Sequence, residues 1–337
     1  NAVNTVFDDV TVFKGMNAGA QAREIVRKWA KYVNPVGVGA DASRFDRSVS
    51  LPMLQWEHSI YKHCHHGDKW LAHLLSLQLT NSGASRCPDG YLKFKSRGGR
   101  MSGDMNTGLG NTLIMCGMVF SYFHRKGVQY DLVNNGDDCM IIMESSDTDS
   151  LSGFPAFCEA LGFKMVMEEP IYELEHLEFC QTQPVHDGET WTMCRNPFKS
   201  ATTDSCSVKI LDSQKVWHKQ LRAVASCGLA MAGGMPVFDA LYSSMARATP
   251  TKKVKNSFVA RNGLYWLSRG MQRGHRPITE EARISFYKAF GVLPQHQVAI
   301  EAMYSRKTFE YRRPIQCHDM PCDTAWAPYT PESRELN

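Results

Sequence analysis

The chain has 337 residues, 43% of them hydrophobic and 21% charged, with a formal net charge of +4. That length has room for about two domains and a large core, and the composition argues against long disordered stretches. The mild basic excess permits a nucleic-acid partner without demanding one.

Residues 1–20 read as loop and short strand. Gln21 to Tyr32 predicts a helix with Ile25, Val26 and Trp29 on one side and Arg23, Arg27, Lys28 and Lys31 on the other. Pro35 stops it, and Val36 to Ala40 predicts a short buried strand. That strand ends on Asp41-Ala-Ser-Arg-Phe-Asp46. Acidic groups at a strand end occur at α/β active-site rims and equally as helix caps, and Asp46 with Ser48 fits a cap. One or two helices are expected over residues 50–80. Pro88-Asp89-Gly90 is a turn, followed by Tyr91 to Arg100, a basic strand-like stretch. Lys93, Lys95 and Arg97 alternate with Leu92, Phe94 and Ser96 and so share a face. With Arg100 they could track phosphates, although alternating lysine is commoner on a solvated edge strand.

Ser102-Gly-Asp-Met-Asn-Thr107 is a flexible, Gly-containing loop. A helix is expected from Thr107, its apolar face holding Leu109, Leu113, Cys116, Val119 and Phe120. Thr107 and Asn111 lie four apart, one turn above the other, and could grip a ligand's hydroxyls or simply decorate a helix start. Tyr130 to Met143 then predicts a hairpin turning at Asn134-Asn135-Gly136, because Asn-Gly accepts the positive φ such turns require. Its second strand, from Cys139, is apolar on both faces and reads as buried. Two carboxylates, Asp137 and Asp138, sit at the tip. Such oxygens are hard ligands suited to Mg²⁺ or Mn²⁺, although most Gly-Asp-Asp tripeptides are solvated turns.

Leu151 to Leu161 predicts a helix capped by Gly162, Lys164 to Met167 a strand, and His176 to Cys194 a second hairpin through Asp187-Gly188. From about residue 205 the pattern is helical: 213–230, 237–246, 257–269, 280–290 and 295–305. Lys252, Lys253, Lys255 and Arg261 place positive charge there, and the Pro-rich tail after Tyr311 reads as irregular. No apolar run reaches the ~18 residues of a membrane span, and no signal peptide opens the chain. A start at Asn1 without Met is expected of a piece of something longer. The 11 cysteines, odd in number and without C-x-x-C pairs, read as reduced thiols of an intracellular protein. His63-Cys64-His65-His66, and Cys317-His318 with Cys322, lack the second half a zinc site needs.

In this order and spacing, Asp41 with Asp46, the Ser102 loop with Thr107 and Asn111, and the Gly-Asp-Asp hairpin resemble motifs A, B and C of viral RNA-dependent RNA polymerases. The wording is similar to that of the tombusvirus-like (carmovirus- and umbravirus-like) group of plus-strand RNA viruses. The resemblance covers roughly residues 12–310, including Glu178-Phe-Cys-Gln181 and Ala282 to Gly291. It implies an α/β (α+β) palm of a right-hand polymerase with a mainly helical thumb and the fingers largely missing. Residues 1–33 would be residual fingers, 34–204 palm with a fingers insertion near 50–100, and 205–337 thumb.

By the same resemblance, Asp41 and Asp137 would bind two Mg²⁺ or Mn²⁺ ions, with Asp138 assisting. Asp46 and Asn111 would read the ribose 2′-hydroxyl with Thr107 in support, and Ser102 and Gly103 would border template and nucleotide. Lys164 would protonate pyrophosphate, and Cys180 and Gln181 would lie in a primer grip touching RNA. The implied partners are template and nascent RNA, ribonucleoside triphosphates and a viral auxiliary replication protein. Membrane would be met only through partners, at replication complexes in the host cytoplasm. Two departures stand out. Arg47-Ser48 replaces a frequent Gln-His, and the basic fingers motif is not visible, since Lys14 resembles only the stretch on its C-terminal side. A reverse transcriptase is the nearest rival enzyme, but it excludes the 2′-hydroxyl with a bulky residue where this chain has Asp46. A non-catalytic RNA-binding replication protein is the rival of another class.

Overall fold

The computed structural model describes residues 5–6, 9–207, 211–250, 254, 259 and 263–311. Lys252, Lys253, Lys255, Arg261, Cys317, His318 and Cys322 lie outside them. The chain divides into two compact units, residues 1–196 with 278–294, and residues 197–277 with 295–337.

In the first unit, strands β1 (Thr5–Val6) and β2 (Asp9–Val10) precede helix α1 (Ala18–Trp29). Asn17 caps α1, its side chain accepting from Ala20 N at 2.8 Å, so the helix starts three residues before Gln21. Strand β3 (Pro35–Ala42) leads through the single turn α2 (Phe45–Ser48) into α3 (Leu51–Cys64) and α4 (Lys69–Leu77). Ser50, not Asp46 or Ser48, caps α3. Next come β4 (Thr80–Cys87), β5 (Gly90–Arg97) and the long α5 (Thr107–Lys126). Strands β6 (Tyr130–Asn134) and β7 (Cys139–Glu144) form the expected hairpin, and α6 (Phe154–Ala160) and β8 (Met165–Met167) come next. The last strands, β9 (Thr182–His186) and β10 (Trp191–Arg195), form a separate two-stranded sheet.

The central sheet runs β6-β7-β3-β8, and β7 is antiparallel to both neighbours. Met140, Ile141, Ile142 and Met143 are all buried, as a strand covered on both faces requires. Helices α5 and α6 supply Ile114, Met118, Val119, Phe123 and Phe154 to the same core. Of the expected face of α5, Cys116 and Val119 are buried and Leu109 is exposed, while Ile114, Met115, Met118 and Tyr122 are buried beside them. A helix that is apolar most of the way round does not declare its face, and the sheet chooses it.

One expected surface cation is buried instead, and a second lies beside it at the surface. Lys28 of α1 is 1% exposed, its ammonium 3.0 Å from Asp131 of β6 and 3.1 Å from Asp9. Lys31 reaches the same two carboxylates at 2.7 Å each, and Tyr32 donates to Asp131 at 3.0 Å. Burial would push the Asp9 carboxyl up, but the hydrogen bonds from Lys31 and Lys28 outweigh it and hold the group well below the usual range.

The second unit is helical. Its elements are α7 (Pro197–Thr203), α8 (Gln214–Ala232), α9 (Phe238–Arg247) and α10 (Leu264–Ser268). Helix α11 (Glu280–Phe290) departs from the expected all-helical region after 205. It joins the first unit, where Gln183 donates to Ala289 O at 2.8 Å and His186 N donates to Ser285 Oγ at 2.9 Å. Helix α12 (Pro294–Arg306) returns to the second unit, where Arg247 donates to Tyr304 O at 3.1 Å. There α8 and α9 approach at Gly228, where a Cβ would fall 2.3 Å from the Tyr242 ring. No helix among the described residues is long and apolar enough to cross a membrane.

Removing Asp131 leaves the buried Lys28 ammonium with Asp9 alone of its two carboxylates, shared with Lys31. Asp131→Ala should cost about 3 kcal/mol or more in chemical denaturation, while Lys28→Met with Asp131→Leu should recover most of it. Asp9→Asn should lower stability in full above about pH 4 and by progressively less as the pH drops further, because a depressed carboxyl stabilises the fold fully above its unfolded pKa and loses that contribution as pH falls through the folded value.

Candidate active site

The hairpin tip is held by backbone. Asn134 and Cys139 are the last pair of the β6–β7 ladder, leaving Asn135 to Asp138 as a four-residue loop. The fully buried Asn134 grips it, its Oδ1 accepting from Gly136 N and its Nδ2 donating to Gly136 O, both at 3.0 Å. Gly136 has a φ of 100°, open to glycine at no steric cost. From outside, Phe13 N donates to Asn134 O at 2.8 Å and Asn134 N to Thr11 O at 2.9 Å. The segment before α1 therefore runs along the end of β6.

On the other side, Ala40 pairs with Cys139 in the β3–β7 ladder. The next residues outward are Asp41 and Asp138, so their carboxylates stand at the same end of a sheet that cannot shift. Burial, opposed by the Cys180 hydrogen bond and reinforced by the charges of Asp137 and Asp41, pushes the Asp138 carboxyl up. Glu168 is pushed up by burial and by Glu178, Asp41 and Asp138. Its carboxylate lies over Gly39 of β3, where a Cβ would fall 2.0 Å from Oε2. Any side chain there would force that carboxylate to move. A cavity of about 500 Å³ opens between Gly39, Asp41, Asp138, Glu168, Glu178 and Cys180.

Behind it, Phe179 and Thr182 bridge across a tight turn in which Cys180 and Gln181 take φ values of 50° and 59°. Asn135 Nδ2 donates to Cys180 Sγ at 3.1 Å, and the thiol donates to Asp138 Oδ2 at 3.5 Å. Burial, opposed by the Asn135 bond and reinforced by the Asp138 charge, pushes that thiol up to about 12.

Beside the tip stands a second cluster. Asp46 accepts from Asn111 Nδ2 at 2.7 Å through one oxygen and from Ser102 Oγ at 2.5 Å through the other. The three residues come from α2, the 98–106 loop and α5. Asp46 caps no helix, which removes the simpler reading of its carboxylate. Asn111 Oδ1 is buried and has no protein partner. A Cβ on Gly136 would lie 3.9 Å from Asn111 Cβ, so tip and cluster are neighbours. Thr107 does not join. Its hydroxyl is shared between Met101 O at 3.0 Å and Asp104 O at 2.9 Å, closing the loop instead of stacking over Asn111. Gly103 has open space where a Cβ would be.

The basic candidates separate. Lys93, Lys95 and Arg97 are exposed on β5, opposite the neutral Ala84, Ser82 and Thr80 of β4. Arg100 is a correction: its side chain is fully buried against Glu57 and is no surface contact for RNA. Lys164 is exposed just before β8, with its carbonyl accepting from Ser43 N at 3.0 Å. Sequence reasoning missed Glu57, Glu168 and β4. Glu57, three residues after the buried Leu54, is an acid on an apolar stripe, and that is a signal.

Among the described residues, no three His, Cys, Asp or Glu side chains are gathered as a ready-made metal cage. The acids at the tip still fit a hard divalent cation. Mg²⁺ is usually held by one or two carboxylates, with phosphates and water completing its shell, and among the described residues no Lys, Arg or His side chain is ion-paired with Asp41, Asp137 or Asp138.

The architecture is mixed helix and sheet, consistent with a polymerase domain. The family model described as viral RNA dependent RNA polymerase matches residues 1–312, and the chain belongs to that family. It is 42% identical over 306 residues to the RNA-directed RNA polymerase of Tobacco necrosis virus (strain A), covering 90% of this chain and 42% of that protein. Similar matches are the RNA-directed RNA polymerases of Oat chlorotic stunt virus (isolate United Kingdom), 41% over 319 residues, and Turnip crinkle virus, 39% over 308 residues. Each covers 90% of this chain, and this chain spans 42% and 39% of their lengths.

The raised Asp138 carboxyl carries a sign. Such a group costs the fold stability once ionised and nothing below its unfolded value. Asp138→Asn should therefore raise the melting temperature at pH 7–8 and lose that advantage below about pH 4, as differential scanning calorimetry would show.

Proposed function

We propose that this chain is the catalytic part of a viral RNA-directed RNA polymerase, transferring ribonucleotides to an RNA 3′-hydroxyl under the direction of an RNA template. The observation that carries the reading is the β3–β7 register, which holds Asp41 and Asp138 side by side at the end of the buried sheet with Asp137 next to them. Asp41 and Asp137 would hold two Mg²⁺ or Mn²⁺ ions with Asp138 assisting, and the ions would supply charge compensation for the 3′-oxygen and the pyrophosphate.

The protein's own groups do the rest. Burial of β7 fixes where the carboxylates stand, so reacting groups meet a preorganised field. Asp46 and Asn111 read the ribose 2′-hydroxyl, and the buried Asn111 Oδ1 leaves an acceptor to spare. Ser102 orients Asp46, Gly103 gives the loop room beside template and nucleotide, and Thr107 keeps the loop closed. Cys180 and Gln181 face the growing strand. Lys93, Lys95 and Arg97 meet RNA phosphates, and Lys164 donates a proton to the leaving pyrophosphate. On this reading the sheet of the first unit is the palm, α3 to β5 belong to the fingers, and the helical second unit is the thumb. An auxiliary viral replication protein, membrane met through partners, and replication complexes in the host cytoplasm belong to the same proposal.

Asp137→Ala in the full-length protein should lower primer extension by about 10²–10³-fold or more while RNA binding persists. In parallel, millimolar Mn²⁺ should raise the melting temperature of the wild type, because cations that bind only the folded state stabilise it. Extension at wild-type rate, or a melting temperature indifferent to Mn²⁺, would remove the site.

Sugar choice gives the second test. A hydrogen bond to a charged group is worth roughly 1.5–3 kcal/mol, so Asp46 and Asn111 should favour ribonucleotides by about 10- to 150-fold. Asp46→Ala should lose most of that ratio through a lower kcat/KM for ribonucleotides, with deoxynucleotides little affected.

A further inference from the structure

Asp46, Ser102 and Asn111 come from three separate elements, yet their supports meet at one place. Beneath them Arg100 and Glu57 form an ion pair in which neither side chain has any solvent exposure. Arg100 N donates to Asp46 O at 2.8 Å, so the residue that carries the buried guanidinium also holds the backbone of the acidic residue. Two residues further on the same loop is Ser102. Gly99 N donates to Val49 O at 2.8 Å, which ties this loop to the end of α2 a second time.

The third element is fixed by contact. Gly110, directly before Asn111, lies on the pair: a Cβ there would fall 2.3 Å from Glu57 Oε1 and 2.4 Å from Arg100 Nη2. Glu57 Oε1 also accepts from Asn106 Nδ2 at 2.9 Å and from Tyr61 OH at 2.6 Å. Asn106 Oδ1 accepts from Gln78 Nε2 at 2.8 Å. The start of α5 is therefore bonded to α3 through Glu57.

Arg100 gains little else from its burial, since its Nε and Nη1 are buried without partners. An apolar side chain would fill the same space without that penalty. What an apolar pair could not do is fix direction, because charged hydrogen bonds hold geometry where packing alone lets it drift.

We infer that Glu57 and Arg100 are positioning residues that hold Asp46, Ser102 and Asn111 in register, so that a buried ion pair which never touches the nucleotide sets the preference for ribose. This rests on the reading of those three residues as the ribose contact. Gly110 belongs to the same device, as the position where any side chain would lever α5 away from the pair.

The test uses the full-length protein with Glu57→Gln, which removes the charge at constant size, and Gly110→Ala, which adds one methyl and removes no charge. Phe154→Leu, in the core and away from the pair, is the control for lost stability. The readouts are the ribose-to-deoxyribose ratio of kcat/KM and amide hydrogen exchange in peptides covering residues 45–48 and 98–106. Both test variants should lower the ratio by about tenfold or more, as small misplacements of reacting groups do, and should speed exchange in both peptides. Phe154→Leu should melt earlier with its ratio and exchange pattern unchanged. The inference is overturned if neither test variant moves the ratio or the exchange, or if Phe154→Leu moves them equally. If the wild type shows no preference for ribose, the ribose reading falls. Exchange then decides alone: faster exchange in the test variants upholds the positioning, and unchanged exchange ends it.

Discussion

Strand β7 is hydrogen-bonded on both edges, to β6 and β3, and its side chains from Cys139 to Met143 are buried. A strand in that position cannot rotate or slide without moving every buried side chain to the wrong face. Whatever sits at its start is held there. The residues at its start are carboxylates, and Asp41 is brought beside them by the same ladder. Left free, like charges would separate; here the sheet keeps them together, and burial, reinforced by the charges of Asp137 and Asp41, pushes the Asp138 carboxyl up.

Elsewhere the first unit treats charge in the opposite way. Lys28 with Asp9 and Asp131, and Arg100 with Glu57, are opposite charges brought inside and paired. Each pair is a bolt between elements distant in sequence: α1 to β6 in one case, α3 to the loop before α5 in the other. Paired charge supports the frame, and the acids Asp41, Asp137 and Asp138 stand together at the rim where the sheet ends. Neither could do the other's work. A cation placed among Asp41, Asp137 and Asp138 would relieve their repulsion and leave them less able to meet a divalent ion.

The local parts of this arrangement are legible in the sequence because they depend on neighbours. Asn134-Asn135-Gly136 between apolar runs marks the hairpin, and the run from Cys139 marks burial on both faces. What could not be read is what depends on partners far along the chain. Lys28 looks like a surface residue until Asp131 arrives from 103 positions away. Arg100 looks like one more basic residue of a strand until Glu57 is placed beside it. Strand β4 is mostly Asn, Ser, Gly and Ala between Thr80 and Arg86, with little strand preference of its own, and it is held by its pairing with β5. Helix α11 was legible as a helix, but its membership of the first unit depends on Gln183, 106 positions from Ala289.

Glycine marks the points where polar side chains must come close. Gly39 makes room for the Glu168 carboxylate, Gly110 for the Glu57–Arg100 pair, and Gly136 lets the tip turn beside Asn111. At Gly39 and Gly110 a methyl group would meet the end of a charged side chain, whereas at Gly136 the positive φ is what a side chain would strain. The tip is therefore positioned by backbone pairing, by the two bonds of Asn134 and by these close approaches, none of which uses the charges of Asp41, Asp137 or Asp138. Because the support is independent of the charges, neutralising the carboxylates would leave the frame that aims them unchanged.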